Sequence, residues 1–225
     1  MAPTGEGHMK TTAALAAAFF VCSNVAIAQT PAPSETVVMP PYPGVFWTQV
    51  TNVKTADRVL FEWIREGQTR ENIHDMLVEQ AFYNLRTMSP AEFAERMLAS
   101  TAVFCEKGAR NGPKLATEHG FAVAYGQSYC VRRKGTNKDV DMFIKVIGGR
   151  NALYVIQREF HYPTTPESVP AVRVWPKGKE AEAKTDMDAH YAASMYLGSV
   201  FVCPTADGTK CPAVENPSGN REVHE

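Results

Sequence analysis

Apolar and polar positions along this chain change period several times, and each change marks an element. Val45 to Val53 and Arg58 to Arg65 are strand-like. In the second, Val59, Phe61 and Trp63 alternate with Leu60, Glu62 and Ile64, and Lys54 to Asp57 supplies the turn of a hairpin. Beyond Thr69, a good N-cap, the residues Ile73, Met76, Leu77 and Leu85 fall near one stripe, which predicts a helix over 70–85. Ser89-Pro90-Ala91-Glu92 is a capping box with proline at the first helical position. It opens a helix with Phe93, Met97 and Phe104 toward the core, Cys105 at its end and Gly108 as its stop. Period two then returns in Phe121 to Lys134, Asp139 to Ile147 and Ala152 to Tyr162, with turns between, as in an antiparallel meander. In the middle strand Val140, Met142, Ile144 and Val146 alternate against Asp141 and Lys145. Thr164 to Pro176 is proline-rich loop. Thr185, with Asp188 three residues on, opens a helix to about Leu197 with Met187, Tyr191, Met195 and Ser194 on one face, and Ser199 to Cys203 reads as a short edge strand.

Hairpin, two helices, meander and helix, in that order, predict an α+β fold: an antiparallel β-sheet with helices packed on it. From about Val45 to Val202 this element order resembles the PsbP/Mog1-like fold. Glu62-Trp63-Ile64 with Gly67-Gln68, the strand Leu153-Tyr154-Val155-Ile156-Gln157, and the closing Cys203 and Cys211-Pro212 are similar to a group of exported bacterial proteins of unassigned function. The resemblance implies non-catalytic binding roles and brings no catalytic residue with it.

The start of the chain has a different pattern. Lys10 supplies a positive charge, Ala13 to Val21 is an apolar run too short to span a bilayer, and Ala26-Ile27-Ala28 is a small-x-small cleavage site. Residues 1–28 therefore read as a secretory signal, with 1–8 a mis-assigned start or a foreign leader, because they do not fit the basic n-region. Residues 29–43 form a proline-rich, disordered lead-in, 44–212 one α+β domain, and 213–225 a disordered tail. Lipid anchoring at Cys22 is the weaker alternative to cleavage, since lipoprotein signals carry a small residue where this chain has Val21.

Export changes the meaning of the cysteines. With Cys22 removed, Cys105, Cys130, Cys203 and Cys211 remain, an even set in an oxidising, periplasmic or secreted setting. Three pairings are open, and the most local joins Cys105 to Cys130 and Cys203 to Cys211. No Cys-x-x-Cys pair supports zinc. A formal net charge of -1 gives no basic excess for nucleic acid. No apolar run after the signal is long enough for a membrane span.

Candidate chemistry is sparse. Asp186 and His190 share a helix face and could hold a metal, but Asp186 and Asp188 also suit a helix first turn, and no third ligand is evident, so no metal or other cofactor is expected. His161 and Tyr162 end a strand beside the proline-rich loop, His119 precedes Gly120, and His74 faces solvent on the first predicted helix. Ser128 lacks the second glycine of a nucleophile elbow, since Cys130 stands in its place. Arg132, Arg133, Lys134 and Lys138 suit the solvated tip of a hairpin. Trp47, Trp63 and Tyr42 suit a core, whereas Trp175, between Pro170 and Pro176, is the aromatic best placed to meet a partner.

These features point to an exported, non-catalytic module that binds an unknown protein or small ligand through Trp175, His161 and Tyr162, as a monomer or weak oligomer. A small envelope hydrolase using His161 or His119 is the alternative. The first test is the start of the mature protein: the intact mass of the exported form should begin at Gln29, and a lipidated Cys22 at that terminus would overturn the assignment.

Overall fold

The computed structural model describes residues 35–41, 45–165 and 177–204, which lie in one compact unit of the chain. The signal and its cleavage site, Tyr42, Trp175, Cys211 and the tail lie outside the described residues.

The elements are β1 (Glu35–Val38), β2 (Trp47–Lys54), β3 (Arg58–Arg65), β4 (Asp75–Phe82), α1 (Pro90–Ala99), α2 (Thr101–Phe104), β5 (Cys105–Glu118), β6 (Phe121–Arg133), β7 (Lys138–Gly148), β8 (Leu153–Pro163), α3 (Glu180–Ser199) and β9 (Phe201–Pro204). Seven strands form one antiparallel sheet in the order β2-β3-β4-β8-β7-β6-β5, and β1 pairs with β9 in a separate two-stranded ribbon. The fold is therefore α+β, with helices on an antiparallel sheet. The hairpin β2–β3 and the meander β6–β7–β8 lie where period two places them.

Both faces of the sheet are covered. On one, α3 sets Ala193, Tyr196 and Leu197 against Trp47, Trp63, Leu77, Phe143, Ile156 and Phe160, and Val202 of β9 joins the same core. On the other, Ala94 and Leu98 of α1 meet Ala124, Ile144, Val146 and Val155. Ser89 caps α1 as its sequence requires, its Oγ accepting from the Glu92 N–H at 3.1 Å. The helix comes close to the sheet because β6 offers it Gly126: a Cβ there would lie 2.6 Å from Leu98 Cδ1.

Cys105, which follows α2 directly, is bonded to Cys130 of β6 across a Cα–Cα distance of 5.3 Å, tying the helical segment to the sheet beside Val140. Cys203 lies buried in β9, and its expected partner Cys211 falls outside the described residues.

Five expectations need correction. Phe104, expected toward the core, is exposed at the end of α2. Residues 70–85 hold no helix. Thr69 to Asn72 is a turn, followed by β4 and a short 3-10 turn at Tyr83–Leu85. β4 lies between β3 and β8 and buries Leu77 on one face and Val78 on the other, and apolar residues on both faces of a strand mimic helical spacing. Gly108 stops no helix but sits inside β5, which the sequence hid because this edge strand is mostly exposed and carries Glu106, Lys107, Arg110 and Lys114. The last helix begins at Glu180, and Thr185 is inside it, its hydroxyl donating to the Ala181 carbonyl at 3.0 Å. Glu35–Val38, inside the expected disordered lead-in, is a strand whose pairing partner comes from the other end of the domain.

Trp63 is buried as expected, while Val59 and Phe61 pack against the core only partly buried. Trp63→Ala should lower unfolding free energy by about 3–5 kcal/mol, measured by chemical denaturation.

Candidate functional site

Leu153 to Tyr162 of β8 are buried throughout, so the polar side chains there must find partners inside the protein. Arg158 makes a two-pronged bond to Asp75 of β4, at 2.6 and 2.7 Å, and its guanidinium lies over the rings of Trp47 and Phe160. Gln157 accepts from Gln80. Glu159 faces His161 Nε2 at 3.0 Å and Arg133 at 3.4 Å. Burial works to raise the Glu159 carboxyl, but the bond to His161 and the Arg133 charge outweigh it and hold the group below its usual range.

Tyr162 points to the opposite face from His161, as neighbours on a strand must. Its hydroxyl bonds the Asp186 carboxylate of α3 and lies 2.9 Å from His190 Nε2. The same nitrogen is 3.5 Å from Asp141 of β7 and 3.7 Å from Asp186. His190 also packs on Phe143 and Phe160, while His74 meets the Tyr162 ring edge-on. These groups latch the first half of α3 to β7 and β8. A second latch holds its end: the fully buried Lys145 ammonium bonds the Val200 carbonyl at 2.5 Å and Glu118 at 2.6 Å, beneath Tyr125. Burial holds this ammonium below the usual lysine range, with Glu118 acting against the shift.

With its inner face fixed at mid-helix and at its C-terminal end, α3 presents a second apolar face outward. Met187, Tyr191 and Met195, one helical turn apart, are 71%, 69% and 59% exposed. Beside the helix, a cleft of about 180 Å³ opens between Ser194 and Leu197 of α3 and Asn111, Lys114, Tyr125 and Gln127 of β5 and β6.

The residues singled out in the sequence do not converge. His161 is buried rather than at the surface and is committed to Glu159, and Tyr162 is buried on the other face, so the two cannot share one binding surface. His119 lies at the far end of the sheet, in the β5–β6 turn, stacked on Phe201. Trp175 is outside the described residues. His74 is exposed, but before β4 rather than on a helix. Ser128 is buried facing α2. The basic run is engaged: Arg132 with Glu106, Arg133 with Glu159, Lys134 with the Val103 carbonyl, and Lys138 with the Glu71 and Ile73 carbonyls. Asp186 and His190 do meet, and Asp141 is the third group, which the sequence did not reveal. Among the described residues, however, no group of three or more His, Cys, Asp or Glu is arranged to hold a metal ion. Asp141 and Lys145 were hidden because acids and bases alternating in a strand read as its solvent side. The neighbouring Phe143 and Ile147 on their own face were the available signal.

No protein-family model matches the chain, and no curated protein matches it. Solved structures are similar to it at low identity. The Ran-binding protein Mog1p of Saccharomyces cerevisiae aligns at 11% identity over 78% of this chain and 92% of its own, with a TM-score of 0.42. A point mutant of the protein Mog1 aligns at 11% over 78% and 93%, again with a TM-score of 0.42. LpqN, involved in cell envelope biogenesis of Mycobacterium tuberculosis, aligns at 15% over 77% and 87%, with a TM-score of 0.37. Likenesses of this size decide neither family nor function.

One acid on β4 sets a pH signature. Burial pushes the Glu79 carboxyl up from 4.5 to about 7. A raised acid favours the protonated folded state, so its contribution is fully present below pH 4.5 and is lost as pH rises through 7. Glu79→Gln should remove that slope and raise stability at pH 8 by about 2 kcal/mol, after allowance for the partial exposure of Glu79. Melts across this pH range check it, and an unchanged slope would refute it.

Proposed function

We propose that this chain is an exported, non-catalytic interaction module that presents the outward face of α3 to another protein. The observation that carries this reading is the exposed ridge of Met187, Tyr191 and Met195 on a helix whose inner face is already packed and latched. A surface helix of a self-sufficient domain is expected to be polar on its outer side, and an apolar outer ridge is the mark of a face that another molecule covers. The secretory signal in the sequence supports export, and the Cys105–Cys130 bond suits an oxidising compartment. Among the described residues no helix is long and apolar enough to cross a membrane, which is compatible with a location outside the bilayer. A Cys203–Cys211 bond would close the last short loop beside β9.

The test is a photo-crosslinking residue placed at Tyr191 in the exported protein in cells, with Lys107 of β5 as the control position. A defined adduct is expected from position 191, absent from position 107 and lost when Met187 and Met195 are both replaced by Asp. No adduct at 191, or one insensitive to those replacements, would overturn the reading.

A further inference from the structure

We infer that the molecule covering this ridge is a second copy of the same chain, docked α3 to α3 about a two-fold axis through Tyr191. The inference rests on the interaction reading above and specifies its partner. A two-fold interface needs a surface that is complementary to itself, with residue i on residue j and j on i. The ridge meets that condition in its sequence: Met187, Tyr191 and Met195 read Met-Tyr-Met in both directions at a constant spacing of four. An axis through Tyr191 therefore brings Met187 onto the partner's Met195 and Met195 onto the partner's Met187, with the two Tyr191 rings side by side. Unbranched methionines adapt to such contacts, and a tyrosine can keep its hydroxyl in water at the rim.

The geometry of the row agrees. Residues spaced by four form the ridge that interdigitates with its like when two helices cross at the commonest angle, about −50°. At that angle two helices touch over only a few turns around the crossing point, which is the span of this ridge. The flanks also permit the approach. Lys184 and Asp188, beside the start of the ridge, neutralise each other at 2.6 Å, so the axis brings no unbalanced like charges together. The far end carries Gly198, where even an added Cβ would meet no atom within 4 Å. A single ridge is a small interface, so the dimer should be weak and reversible, with dissociation in the micromolar range (~10–100 µM).

Sedimentation velocity on the purified exported protein, from roughly 1 µM to 1 mM, should show a reversible monomer–dimer equilibrium. Tyr191→Glu should weaken it at least ~10-fold while leaving the circular dichroism and the melting temperature unchanged. The register has its own test. Tyr191→Cys should form a symmetric disulfide-linked dimer on mild oxidation. Met187→Cys alone should not, and mixed with Met195→Cys it should give the cross-linked heterodimer. A monomer at every concentration, or a dimer indifferent to Tyr191→Glu, would overturn the inference. A dimer with crosslinks only between identical Met187→Cys copies would overturn the axis. If the protein is monomeric while the photo-crosslinker at position 191 captures a different protein, the second-copy inference fails and the interaction reading stands. If neither is seen, both fail.

Discussion

The structure is organised by the burial of β8. This strand lies between β4 and β7 with both of its faces covered, and Leu153 to Tyr162 are removed from solvent. A strand so placed would ordinarily be an unbroken apolar run. Here it carries Gln157, Arg158, Glu159, His161 and Tyr162 in sequence, and leaving any of them unsatisfied would cost on the order of 1–3 kcal/mol or more. Four are answered from neighbouring elements, by Gln80 and Asp75 on β4, Arg133 on β6, and Asp186 with His190 on α3, and His161 is answered within the strand by Glu159. The hydrogen-bonding demand of one strand thus sets how the rest of the sheet and its covering helix come together. Such pairs add little net stability compared with apolar residues of the same volume, but removing one partner is severe, which makes them effective at specifying a single arrangement.

The placement of α3 follows from this. Two polar latches fix it, one around Tyr162 and His190 and one around Lys145, and the apolar packing of Ala193, Tyr196 and Leu197 lies on its inner side near the second. A helix held in this way does not need its outer side for stability, so an outer apolar ridge calls for a separate explanation. The sheet edges do not compete for that role. β5 carries charges along its exposed length and breaks its register between Asn111 and Lys114, and β2 shifts register between Gln49 and Thr51, both of which discourage further strand addition. Phe46 and Leu115 are exposed singly, as surface apolar residues commonly are.

The electrostatics of the interior pull in opposite directions with pH. Glu159 and Glu118 are held below their usual range: burial acts to raise both, and hydrogen bonds and charge from His161, Arg133, Lys145 and Tyr125 overcome it. Their contributions are present above the ordinary carboxylate range and fade as pH falls through their lowered values. Glu79, raised by burial, does the reverse. The acids that hold elements together therefore favour neutral conditions, and Glu79, whose desolvation no partner offsets, favours mildly acidic ones.

Much of the architecture could be read from local pattern. Alternation placed the hairpin and the three-stranded meander, Ser89 with Pro90 and Glu92 placed the start of α1, and the spacing of Cys105 and Cys130 suited a local bond. Each depends on residues close in the chain whose periodicity or capping chemistry acts within a few turns. Contacts between distant segments decided the rest. β4 became a strand because β3 and β8 flank it, β1 ordered because β9 reaches it from the other end of the domain, and β5 extended along an edge no apolar pattern announced. The same holds for the site: Asp141 and Lys145 read as solvent-facing until α3 covered them, and Met187, Tyr191 and Met195, which share one face in the sequence, were turned outward when Ala193, Tyr196 and Leu197 took the core. Periodicity determines which side chains share a face, and only tertiary packing determines what, if anything, covers that face.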